Sequence, residues 1–317
     1  MRRCNVVPAG LVLAVLGSTA ALGAGIPAVP EAHPRSGLVH PAQSVLPWDT
    51  PAEKPARKRS SEDKKAAGSD KSAPAASDPG ASGKGVPSGV TRNIKTAFEL
   101  LAKGQIDPAL AEFDRALMEN PKSYLAYAGR GFGLALKGRF DNSISDLDKA
   151  VALEPKIALA YAYRGFTFLL RGEPDRAIAQ LDKALSLNPK SADGYTFRGS
   201  AWLAKRDAGR ALADLDKSLK IQPKNAYALA TRARAYASRK EYDKALVDFA
   251  AALAINPKSM SYLVGRAQTL EAMGRKDDAI AVYKSVVDQK PASVSDVVSH
   301  TIARKRIEAL KGGGQEL

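Results

Sequence analysis

The stretch "ALAYAYRGFTFLLRGEPDRAIAQLDKALSLNPKS", residues 158–191, decides the fold. Its first half is almost wholly apolar, yet Arg164 and Gly165 stand in the middle of it. Arginine is costly to bury and glycine weakens a helix. The run from Phe166 to Leu170 is far short of the ~20 apolar residues that a membrane span requires. A second, charged half follows a Gly-Glu-Pro-Asp turn and closes on Pro189. One arginine here could be catalytic; an arginine copied along the chain has another use.

The stretch is one of six. Prolines at 121, 155, 189, 223, 257 and 291 stand 34 residues apart, and a fixed period of that size marks stacked structural units. Aligned on the proline, the units are 90–123, 124–157, 158–191, 192–225, 226–259 and 260–293. Their eighth position is small (Ala97, Gly131, Gly165, Gly199, Ala233, Ala267), and the eleventh is large and apolar, from Leu100 to Leu270. Small, large and small residues recur at the twentieth, twenty-fourth and twenty-seventh positions, as in Ala177, Leu181 and Ala184. Spacings of three, four and seven predict two amphipathic helices per unit. The proline ends the second, because it lacks an N–H and disfavours helix before it.

This order of large, small and large residues, then small, large and small, then proline, resembles the tetratricopeptide repeat family over 204 residues. The resemblance implies an all-α, right-handed superhelical solenoid of six helix-turn-helix units. Residues 294–311, with a looser apolar stripe, are expected to form a C-terminal capping helix over the last unit. Asn93 occupies a usually large position, so the first unit reads as a worn cap. Gly104, Gly138, Gly172 and Gly274 mark the end of the first helix in four units, whereas Arg206 and Lys240 replace glycine in two.

The seventh position reads Arg130, Arg164, Arg198, Arg232 and Arg266, where the family usually has an aliphatic residue. In this family the second helix of one repeat packs on the first helix of the next. That packing implies an inter-repeat ladder, Asp114–Arg130, Asp148–Arg164, Asp182–Arg198 and Asp216–Arg232, broken at the fifth rung by Ala250. The alternative is that these arginines carry their charge out to solvent. The recurring acids, including Asp146 and Asp214, read as structural rather than catalytic.

The family's first helices line a concave groove. Carried over position by position, the groove comprises Leu125, Ala128, Phe132, Leu159, Ala162, Phe166, Leu169, Thr196, Ser200, Leu203, Tyr227 and Arg234. The expected ligand is a protein segment with an apolar anchor on Phe132 and Phe166. The alternative is that these rings pack between helices, or are covered by the linker or by a second copy of the chain. The lysine and asparagine set that clamps carboxylates in chaperone-associated members is absent.

The rest of the sequence sets the context. Arg2 and Arg3, a charge-free apolar stretch and the small residues Ala21-Leu22-Gly23 have the layout of a cleaved secretory signal over residues 1–24. An uncleaved membrane anchor over residues 5–30 is the alternative. Residues 25–89 are rich in Pro, Ala, Ser and Lys, have almost no large apolar side chains, and are read as a disordered linker. The segment Ser44–Pro51, "SVLPWDTP", is its one apolar island, and 312–317 read as a tail. The sole cysteine, Cys4, lies in the leader, and none of His33, His40 and His300 stands near another candidate ligand, so no metal, cofactor or catalytic set is expected. The chain is therefore expected to be an exported, non-enzymatic scaffold. The net charge of +15, with 37 basic against 26 acidic residues over 91–317, supports a second reading as a binder of acidic polymer. Nucleic acid is not an expected partner of an exported chain.

Overall fold

The computed structural model describes residues 88–312. The expected leader, the linker up to residue 87, the "SVLPWDTP" segment and the last five residues lie outside them. Among the described residues there are thirteen helices and no strand. The first three units hold α1 (Ser88–Ala102) and α2 (Ile106–Glu119), α3 (Tyr124–Leu136) and α4 (Phe140–Leu153), and α5 (Ala158–Leu170) and α6 (Pro174–Leu187). The next three hold α7 (Ala192–Ala204) and α8 (Ala208–Ile221), α9 (Ala226–Ser238) and α10 (Tyr242–Ile255), and α11 (Met260–Ala272) and α12 (Lys276–Val287). The capping helix is α13 (Val294–Gly312). None is long and apolar enough to cross a membrane.

Local chemistry explains the boundaries. Asn120, Glu154, Asn188, Gln222 and Asn256 each precede the unit's proline, and their φ of −124° to −139° and positive ψ leave the helical region, as a following proline ring demands. Ser123, Ser191 and Asn225 then cap the next helix by accepting from a backbone N–H three residues on. Each first helix ends in the same left-handed turn. In the third unit the Gly172 N–H donates to Leu169 O and the Glu173 N–H to Phe168 O, closing the two bonds of a Schellman motif. Arg206 and Lys240 adopt this turn as well, at φ 62° and 64°. Missing glycines therefore change the strain at those turns rather than their shape.

The two helices of a unit form a hairpin, and each second helix also packs on the first helix of the next unit. First helices of successive units touch one another too, α3 on α5, α5 on α7, α7 on α9 and α9 on α11, whereas second helices make no comparable contact. A stack drawn together along one row of helices curves toward that row. The odd-numbered helices α1 to α11 therefore line the concave side.

Within each hairpin the small eighth position and the large twenty-fourth are matched in shape. Gly131, Gly165 and Gly199 face Leu147, Leu181 and Leu215; a Cβ on Gly165 would sit 2.6 Å from Leu181 Cγ and 3.0 Å from Ala177 O. Where the first residue is Ala97, Ala233 or Ala267, the second is Phe113, Phe249 or Tyr283, all buried. A flat ring leaves room for a methyl group that a branched Cγ does not. The choice propagates to the next unit: Phe113 and Phe249 project against Gly129 and Gly265, where a Cβ would meet ring carbons at 2.2 and 2.6 Å.

Candidate binding surface and arginine ladder

The arginine column is held on two sides. Arg130 Nη1 donates to Asp114 Oδ1 at 2.7 Å, Arg198 Nη1 to Asp182 at 2.6 Å and Arg232 Nη1 to Asp216 at 2.8 Å. Arg164 Nη1 donates to Asp148. These are the inter-repeat contacts expected from the sequence. Their acids, however, are more than half exposed.

The buried partner is a residue that the ladder reading passed over. Arg130 Nε and Nη2 donate to both oxygens of Asp146 at 2.7 and 2.9 Å. Arg198 does the same to Asp214, at 2.8 Å for both bonds, and Arg232 to Asp248, at 2.7 and 2.9 Å. Gln180 takes this place beside Arg164. Asp146, Asp214 and Asp248 are buried on the second helix of the same unit. Each guanidinium thus bridges its own repeat to the preceding one. These hydrogen bonds, the buried acid's first, hold the three aspartate-paired arginines above the ordinary arginine pKa. Arg130, Arg164 and Arg198 also lie over the rings of Tyr127, Tyr161 and Tyr195 at 5.6, 5.2 and 5.7 Å, a cation–π contact.

A second row of ion pairs joins Asp107 to Lys137, Asp141 to Arg171 and Asp175 to Lys205, each spanning 30 residues between successive units. It stops where Gly209 replaces the aspartate. The arginine ladder stops one unit later. Arg266 has Ala250 and Val282 at the two acid positions and forms no ion pair among the described residues.

The groove expectation changes more. Phe132 and Phe166 are only 2% and 3% exposed. Their rings belong to a column running along the first helices: Phe132 stacks on Tyr163 at 4.2 Å, and Phe166 lies 5.5 Å from Phe132 and 4.6 Å from Phe197. Ala128, Ala162, Leu169, Thr196, Ser200 and Tyr227 are buried as well. Phe132 and Phe166 have almost no surface left to give a ligand, because the ring of the next first helix already covers each one. Leu125, Leu159, Leu203 and Arg234 remain partly open. The usable concave surface is thus narrower than the sequence suggests: three leucines and one arginine in place of twelve residues.

Comparison with known proteins agrees with this architecture. The family model described as Tetratricopeptide repeat matches residues 134–192, 164–226 and 230–294. Among solved structures, a thermophilic TPR protein of Thermus thermophilus is 24% identical, with 57% of this chain and 98% of that one covered at a TM-score of 0.52. PilF of Pseudomonas aeruginosa is 16% identical, with 70% and 99% covered at 0.53. PilW, a type IV pilus biogenesis factor, is 20% identical, with 66% and 97% covered at 0.54. At these identities the likeness is one of fold. No curated protein matches the chain. The helix pairs, the 34-residue period and the matched model together place the chain in the tetratricopeptide repeat family.

Proposed function

We propose that the protein is a non-enzymatic scaffold of the cell envelope that holds a segment of a partner protein along its concave surface. The observation that carries this reading is the row of first helices packed side by side. It forms one continuous face, with Leu125, Leu159, Leu203 and Arg234 still partly open along it. An extended segment laid across such a face meets several repeats at once, and no single repeat needs to supply the affinity. The layout of residues 1–24 supports export.

The test is selection of linear peptides by display on the chain, followed by titration of the selected peptides against Leu159→Asp and Leu203→Asp. Both positions are partly open, so the folded state should survive, which circular dichroism checks. Loss of peptide binding by the folded variants supports the groove; unchanged binding refutes it.

One observation favours a second reading. Lys122, Lys156, Lys190, Lys224 and Lys258 recur at 34 residues and are all exposed at the turns between units. A basic edge of this kind fits an acidic polymer. Such binding would fall steeply with salt and would ignore the leucine substitutions.

A further inference from the structure

One basic side chain on the concave face is treated unlike the ladder arginines. Arg234 stands on α9, two residues after Arg232, and therefore on the opposite side of the helix. Arg232 has three charge-assisted hydrogen bonds. Arg234 has no hydrogen bond and no ion pair among the described residues, although it is partly open. Around it are Tyr227, seven residues earlier on the same face of α9, and Tyr262 on α11, both buried. The Ser200 hydroxyl donates to Tyr227 Oη at 3.4 Å, which ties this cluster to α7. Burial by the surrounding protein lowers the Arg234 pKa.

An arginine cannot escape such a site by losing its proton. Its planar fork presents five donors, and a carboxylate satisfies two of them at once. The ladder shows that this chain readily supplies a carboxylate or amide oxygen to a guanidinium where the role is structural. At Arg234 it supplies none among the described residues, and the side chain stays partly open on the face where a segment would lie.

We propose that Arg234 is the anion-binding centre of the concave surface, receiving a carboxylate of the bound protein segment. This rests on the groove reading above and adds to it the chemistry of the ligand. The carboxylate comes from an aspartate or glutamate side chain or from the C-terminus of the segment, and the test separates the two sources.

Peptides selected on the full chain are titrated in three forms: as selected, with each acid replaced by its amide, and with an amidated C-terminus. Each form is measured against wild type and Arg234→Met. Neutralising the responsible carboxylate should weaken binding to wild type by about 10- to 100-fold, and the form that does so identifies the source. The same change should leave binding to Arg234→Met unaltered. Without ligand, Arg234→Met should melt no lower than wild type, because the cation removed has no internal partner. A variant that melts several degrees lower shows a structural arginine and overturns the proposal. Equal binding of neutral and acidic forms to wild type overturns it too, while leaving the groove intact. If no selected peptide responds to Leu203→Asp, the groove reading and the anion centre fall together.

Discussion

Replacing Asp214 by alanine should destabilise the chain far more than replacing Asp182, although both acids contact the same guanidinium. The Asp214 side chain is 6% exposed and accepts two hydrogen bonds from Arg198, both at 2.8 Å. Without it, Arg198 keeps a single hydrogen bond, to Asp182, and its place over the Tyr195 ring. Removing one partner of a buried pair costs about 3–5 kcal/mol. Arg198 is itself 21% exposed, so water recovers part of the loss and the lower figure, about 3 kcal/mol, is expected. Asp182 is 55% exposed and contributes one bond at 2.6 Å; exposed pairs contribute about 0–1 kcal/mol. In urea, where slopes are about 1–3 kcal/mol per M, Asp214→Ala should lower the midpoint by about 1–3 M. The Asp182→Ala midpoint should move by less than about 1 M.

Unfolding followed by far-UV circular dichroism, at low salt and in 1 M salt, separates the two roles. The Asp182 effect should disappear at high salt, where the Debye length is about 3 Å; the Asp214 effect should persist. Equal midpoint shifts, or a larger one for Asp182, would show that the inter-repeat contact is the important one and that burial has been misjudged. A double substitution, Arg198→Leu with Asp214→Leu, should recover much of the loss, since apolar replacements of buried pairs are often neutral.

Three further outcomes are expected. Gly165→Ala should cost about 1–3 kcal/mol by overpacking, because its Cβ would meet Leu181 Cγ at 2.6 Å; a midpoint above wild type would contradict the close approach. Ala250→Asp, at an exposed position, should complete the outer contact to Arg266 and slow amide exchange in α11 to α13, with a gain of at most about 1 kcal/mol; unchanged exchange there would sink it. Burial pushes the Tyr262 pKa up to about 12 from 10.0 and raises those of Tyr163, Tyr227 and Tyr283. The unfolded chain then loses these protons first, so stability should be full below about pH 10 and should fall between about pH 10 and 12. Tyr262→Phe should flatten that fall, read from melting temperature against pH.

The solenoid was legible because a 34-residue period reports packing directly. Small residues at the eighth and twentieth positions let helices approach, and the proline dictates the extended residue before it. The ladder was half legible. Asp146 lies three residues after Ser143 and four before Ala150 on α4, which puts it on the buried face; Asp148 does not share that spacing. The signal for the buried acid was therefore present, but pairing across repeats drew attention to Asp148. The phenylalanines failed for a different reason. Phe132 falls on the concave side of its helix, but its exposure is decided by Tyr163, 31 residues later, and by how closely α5 follows α3. The trade between glycine with leucine and alanine with an aromatic ring was also in the columns. It shows only when the eighth and twenty-fourth positions are compared unit by unit.

Charge was the least direct guide. The surplus of basic residues suggests a broad attraction for anions, yet seven basic side chains already have acidic partners within the fold, so the surplus resides on the others. Arg130, Arg164, Arg198 and Arg232 are closed by the ladder, and Lys137, Arg171 and Lys205 by the second row of ion pairs. Both rows run out toward the C-terminus, where Glu271 instead binds Arg306 of α13 and ties the cap to the last repeat. What a partner meets is the charge that the fold leaves unpaired. On the concave side that places Arg234 in view, beside a stretch of the first-helix row where tyrosine hydroxyls and serine replace the stacked phenylalanines. Selectivity for an acidic group at that point, independent of net charge elsewhere, distinguishes a groove that reads a protein segment from an edge that collects polyanions.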